Sequence, residues 1–191
     1  MSNVSIFQSS EERLFLPIMS TLYNQFAQPY GWLIFRIIFG GMLVIEGWPK
    51  ILDPFAQVGF VEHLGFYPGW LWSPLLAVMQ FFGGMFIVAG FLTRPVAIAN
   101  AVMLAITLWF HFSHPYGHAF LTPAGIEALQ AGSDFFTPEG ISRLSDGGVK
   151  FLHLVQLKAY LASLFWTVGT LLIAAFGGGY FSIDRLMKKQ F

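Results

Sequence analysis

The chain has 191 residues, 55% of them hydrophobic and 10% charged, with ten basic side chains against ten acidic ones and no cysteine. A mean hydropathy of +0.63 excludes intrinsic disorder, and the absence of a basic stripe argues against any nucleic-acid partner. Disulfides, thiolate metal sites, Fe–S clusters and cysteine catalysis are ruled out, while 22 Phe, 6 Trp and 6 Tyr suit a single domain buried in a lipid bilayer.

Residues 1–29 are expected to form an interfacial N-terminal segment. Glu11 and Glu12 stand where a secretory signal would carry basic residues, and Pro17 cuts the short apolar run. Ser9 with Glu12 three residues on reads as a capping box. A short helix on the membrane surface, reaching to Tyr23, and a frayed tail are both compatible with this composition.

Four apolar stretches follow, each long enough to cross a bilayer as a helix of ~20 residues. They cover residues 30–51, 73–92, 95–112 and 149–176. The fourth exceeds one perpendicular span and must tilt or project. Residues 113–148 form a long connection, read as an extracytoplasmic lid. Within it Thr122-Pro-Ala-Gly-Ile-Glu-Ala-Leu-Gln-Ala-Gly132 is echoed by Thr137-Pro-Glu-Gly-Ile-Ser-Arg-Leu-Ser-Asp-Gly147. Thr as N-cap, Pro at the first helical position and a closing Gly predict two short helices. The expected fold class is all-α: an integral membrane four-helix bundle carrying a lid of two short helices. Residues 177–191 form a tail. Arg13, Arg94, Arg185, Lys188 and Lys189 share one side, which places both termini in the cytoplasm by the positive-inside rule.

Polar residues inside a bilayer are costly, so their positions are informative. Glu46 and Lys50 fall near the outer end of the first helix, and Gln80 about two turns below the outer surface on the second. The third ends in His111, Ser113, His114 and His118, and the fourth begins with His153 and Gln156. Asn100, Thr107, His111 and His114 share a helix face. So do His153, Gln156, Tyr160, Ser163, Thr167 and Thr170. Such stripes must face the bundle interior or another protein. Gly40 with Gly47, and Gly83 with Gly90, allow close helix approach. A polar pocket open to the outside is expected.

The residues leave alternatives open. Glu46 either pairs with Lys50 at (i, i+4) or is a buried carboxylate that exchanges protons. Gln80 is a helix-to-helix hydrogen bond or a ligand contact. Arg36 snorkels or pairs with Asp184, and Lys158 snorkels. His111, His114 and His153 are structural interface residues, hydrogen-bonding or proton-transfer groups, or ligands to a metal or haem. The candidate catalytic set is Glu46, His111, His114 and His153. The candidate cofactor-binding set is Gln80, Trp109, Gln156 and Tyr160. No metal site is assigned.

The run from Arg36 through Gly40 and Glu46 to Lys50 resembles the first helix of the DoxX/DoxD family of small bacterial membrane proteins. Gln80 to Arg94 resembles that family's second helix and basic turn, and Gly177-Gly-Gly-Tyr-Phe-Ser-Ile-Asp184-Arg-Leu its closing segment. Family members often carry His where Glu46 stands and Glu where Gln80 stands. The resemblance spans roughly Trp32 to Leu186. It implies a four-helix subunit of a bacterial inner membrane linked to respiratory or redox chemistry. The best-described role is in thiosulfate:quinone oxidoreductase, beside an extracytoplasmic partner. A quinone as cofactor and a protein partner in a hetero-complex are therefore expected. A non-catalytic scaffold and a haem- or metal-binding subunit are the alternatives.

Overall fold

A computed structural model describes residues 19–189. The expected interfacial helix before Met19 lies outside the described residues. From Met19 onward the chain is already helical: α1 (Met19–Thr21), a π-helical stretch (Leu22–Ala27) and α2 (Gln28–Leu52) run on without a break. The long apolar helix thus starts well before Tyr30, where a surface segment was expected. Pro29 does not stop it, because it directly follows the π-turns, and such local adjustments accommodate a residue without an N–H inside a membrane helix.

The remaining elements are α3 (Val58–His63), α4 (Gly69–Ala89), α5 (Thr93–Ser113), α6 (Pro123–Ala131), a 3₁₀ turn (Ser133–Phe135), α7 (Pro138–Leu144), α8 (Val149–Phe176) and α9 (Ile183–Leu186). The described residues contain helices and no strand. Four helices are long and apolar enough to cross a membrane: Leu22–Leu52, Gly69–Ala89, Thr93–Ser113 and Val149–Phe176. α4 ends where Gly90 takes the left-handed conformation, φ 70°. Its amide bonds to Ile87 O and that of Phe91 to Phe86 O, which closes the last turn.

The chain divides into two compact units. One is built from the described residues up to Met103 with those from Val168 onward, the other from Leu104–Thr167. In the first unit, α2 and α4 meet through glycines. A Cβ added to Gly40 would lie 2.8 Å from Gly84 O, and one on Gly47 would lie 2.7 Å from Phe81 N. A Cβ on Gly84 would lie 2.7 Å from Gly40 O. Without a hydrophobic force between helices in lipid, this backbone proximity supplies the packing. Gly169 is pressed against the Phe39 ring. Large apolar side chains point outward instead: Ile34, Ile37, Ile38 and Ile45 are exposed along α2, as a lipid-facing surface requires. Between α2 and α4, Glu62 of α3 accepts from Gly69 N at 3.0 Å and Ser73 Oγ donates to Pro54 O at 2.5 Å. The connection is therefore folded back on itself.

In the second unit the repeated motif forms the two expected short helices. Thr122 Oγ1 accepts from Gly125 N at 3.2 Å, and Thr137 Oγ1 from Gly140 N at 3.1 Å. Gly132 closes α6. α7 ends earlier than its copy, at Leu144, and Gly147 bends the chain three residues later with φ 75°. Gly147 O accepts from Phe120 N and Leu121 N at 2.7 and 3.1 Å, tying the two ends of the loop together.

Two substitutions test the helix contact. Gly84→Ala forces α2 and α4 apart and costs about 1–3 kcal/mol, read as a lower melting temperature in nanodiscs. Gly41→Ala, whose Cβ meets nothing within 4 Å, stabilises by about 0.5–1 kcal/mol.

Candidate functional site

Three polar clusters stand out, and the first and third form where a helix end leaves backbone groups unpaired. The first lies at the turn between α4 and α5. Asp184 Oδ1 accepts from Leu92 N at 2.8 Å, while Oδ2 accepts from Thr93 N at 2.9 Å and Thr93 Oγ1 at 2.7 Å. The carboxylate thus caps the N-terminus of α5, where its charge also suits the helix dipole. Because Leu92 N is committed there, Val88 O loses its (i, i+4) donor. Arg36 supplies one: Nη2 donates to Val88 O at 3.2 Å and to Phe181 O, and Nη1 donates to Gly178 O. At 1% exposure, Arg36 does not snorkel. No salt bridge to Asp184 closes either, because Arg36 is spent on backbone carbonyls and Asp184 on the Leu92 and Thr93 amides and the Thr93 hydroxyl. Trp32 Nε1 adds a bond to Gly177 O at 2.9 Å, and Asp184 N donates to Gly90 O at 2.9 Å. The closing segment is therefore a buckle. A Cβ on Gly178 would lie 2.6 Å from Ser182 Cβ, and one on Gly90 would lie 2.7 Å from Arg36 Nη1.

The second cluster lies at the other end of α2. Lys50 Nζ donates to Gln80 Oε1 at 2.5 Å, so the ammonium turns to α4 and no ion pair with Glu46 closes. Glu46 stays exposed on α2, and Gln80 is buried. Of the two readings for Gln80, the helix-to-helix hydrogen bond is the one observed. In the same unit Asn100 is wholly buried. Its Nδ2 donates to Val96 O at 3.0 Å, while its Oδ1 has no hydrogen-bond partner. A Cβ on Gly83 would lie 2.5 Å from that Nδ2, so Gly83 makes room for the amide.

The third cluster lies in the second unit, at the end of α5. Pro115 stands four residues after His111 and has no N–H to offer its carbonyl. Gln156 of α8 takes over: Nε2 donates to His111 O, and Oε1 accepts from Tyr116 N at 3.1 Å. Gln156 is thus a backbone clamp. The two aromatic donors beside it are less committed. His111 Nδ1 and Tyr116 Oη are 3.5 Å apart, the outer limit for a hydrogen bond. His114 Nδ1 meets Ser113 Oγ at 2.9 Å, and its ring stacks on Phe110 with centroids 4.8 Å apart. Trp109, 54% exposed, stands edge-on to His114 at 5.9 Å. Phe112 is exposed and faces Tyr160 at 6.4 Å.

The second unit therefore brings Trp109, His111, His114, Gln156 and Tyr160 to one end of two helices and adds Tyr116, which the sequence reading passed over. His153 stands exposed one turn before Gln156. The fourth-helix stripe becomes buried only further on, at Ser163, Thr167 and Thr170. Glu46 and Gln80 belong to the first unit's own cluster. Among the described residues no three His, Asp or Glu side chains gather as a metal site would need.

Fold and sequence together define a multi-pass helical membrane protein. The DoxX family model matches residues 31–113, so the part of the chain from α2 through the end of α5 is similar to that family. It is also 29% identical over 161 residues to the inner membrane protein YqjF of Escherichia coli (strain K12), across 84% of this chain and 94% of that one. No solved structure matches.

Replacing the clamp tests its role. Gln156→Leu leaves His111 O and Tyr116 N without partners and costs about 1–3 kcal/mol. The expected result is a lower melting temperature together with faster proteolysis at residues 114–118.

Proposed function

We propose that the chain is a multi-pass inner-membrane subunit of a quinone-linked redox system, and that a quinone head group binds at the end of α5. The carrying observation is the loose pairing of His111 Nδ1 with Tyr116 Oη beside the exposed rings of Trp109, Phe112 and Tyr116. A quinone needs an apolar slot reached from lipid and hydrogen-bond donors for its two carbonyls. The exposed aromatic rings offer the slot. Tyr116 Oη and the His111 imidazole offer donors, and an imidazole can pass on the protons that reduction consumes. Reduction takes up two electrons and two protons, and the electrons come from a partner protein or a small external donor. His114 and the exposed His153 are the further imidazoles proposed for proton exchange. Glu46 is the proposed proton-exchanging carboxylate of the first unit. The inner-membrane setting draws support from the similarity to YqjF, and the placement of both termini in the cytoplasm from the distribution of Lys and Arg.

A scaffold role is the second reading. It is favoured by the use of Arg36, Asp184, Gln80 and Gln156 on structural bonds.

Photolabelling with an azidoquinone in nanodiscs separates the two. The proposal expects label on residues 109–116 and about tenfold weaker labelling in His111→Ala and Tyr116→Phe, the loss of one good hydrogen bond to a ligand. Label spread without preference, or unchanged in both variants, favours the scaffold.

A further inference from the structure

Lys158 stands apart from the polar stripe of α8, and the functional reading above makes no use of it. It lines a cavity of about 380 Å³ together with Arg143, Asp146, Lys150, Phe151 and Leu154, all in the second unit. That volume is within the range of small-ligand sites. The charge balance favours an anion. Asp146 is already occupied: Oδ1 accepts from Gly148 N at 3.0 Å and Oδ2 from Lys150 N at 3.3 Å, capping α8. Arg143 is held in place by Glu139 at 2.6 Å and lies over the Phe151 ring at 5.4 Å. Three cations thus surround one opening, against Asp146 inside it and Glu139 behind Arg143. Neither Lys150 nor Lys158 closes an ion pair, and both are exposed.

The place of this cavity along α8 narrows the ligand. The helix has 28 residues, about 42 Å at 1.5 Å each, against a hydrocarbon layer of about 30 Å. The excess lets its first turns stand among lipid head groups. Lys150, Leu154 and Lys158 follow one another at (i, i+4) on one face. Leu154 and Leu157 expose apolar surface between these lysines, and Leu161 just beyond them. Cationic side chains over a lipid-facing apolar surface suit a phosphate diester that carries acyl chains.

We propose that Arg143, Lys150 and Lys158 bind the phosphate of an anionic phospholipid, whose chains lie along the exposed leucines of α8. The test is native mass spectrometry of the full chain, equilibrated in detergent with phosphatidylglycerol or with phosphatidylcholine. Phosphatidylglycerol is retained preferentially. Lys150→Gln and Lys158→Gln each weaken that preference about fivefold, whereas Lys158→Arg preserves it. Melting temperatures in phosphatidylcholine nanodiscs stay unchanged, which excludes misfolding as the cause. Equal retention of the two lipids, or a preference unaffected by either Gln variant, overturns the proposal. So does millimolar inorganic phosphate displacing the bound lipid completely, since the cavity then takes the free anion.

Discussion

A helix that crosses a bilayer satisfies its own backbone everywhere except at its ends, and lipid offers no substitute partner. The described part of this chain is organised around that deficit. At the α4–α5 turn the deficit is met by two charged residues from distant parts of the sequence. Asp184 takes the donors at the start of α5, and Arg36 takes the acceptor left at the end of α4. Each charge matches the helix end it serves. Together they fasten the segment after α8 to α2, α4 and α5 within one unit. The glycine-rich motif around residues 177–179 follows from this, because its backbone must come close to Arg36, Ser182 and Trp32.

The same rule explains why the candidate site was only partly legible. Hydropathy shows the four long helices directly, and Thr-Pro pairs show the two short ones. Helical spacing groups His153, Gln156, Tyr160, Ser163, Thr167 and Thr170 on one face of α8, of which His153 is exposed and Ser163, Thr167 and Thr170 are buried, yet spacing cannot say which partner a polar side chain takes. Gln156 was a candidate ligand contact, and the missing N–H of Pro115 turns it into a clamp. That signal was present in the sequence, as a proline four residues after His111. Glu46 and Lys50 have the spacing of an ion pair. Lys50 nevertheless reaches Gln80, a choice decided by the close glycine-mediated approach of α2 to α4. Arg36 reads from the sequence as snorkelling or pairing with Asp184, and no periodicity reveals that both residues act instead through backbone groups elsewhere in the fold. Tyr116 went unnoticed because it lies beyond the helix end, where face patterns carry no information.

Besides the exposed Glu46 of the first unit, the side chains proposed for function sit in the second unit. After the structural bonds are assigned, the ring donors of His111 and Tyr116 and the exposed rings beside them are uncommitted enough to meet a ligand. The cationic opening at the start of α8 is separate chemistry, drawn from other side chains of that unit. A membrane protein with few charges cannot place them idly, and every buried charge described here has a backbone group to serve.

The most direct measurement is amide hydrogen exchange of the full chain in nanodiscs, comparing the natural sequence with Arg36→Met. Arg36 makes its hydrogen bonds to Val88, Gly178 and Phe181 rather than to Leu92 or Thr93. If it fastens the closing segment that carries Asp184, exchange accelerates both in residues 177–186 and in the 90–94 turn. Unchanged protection of that turn in Arg36→Met would contradict the dependence of the α4–α5 connection on this buried arginine.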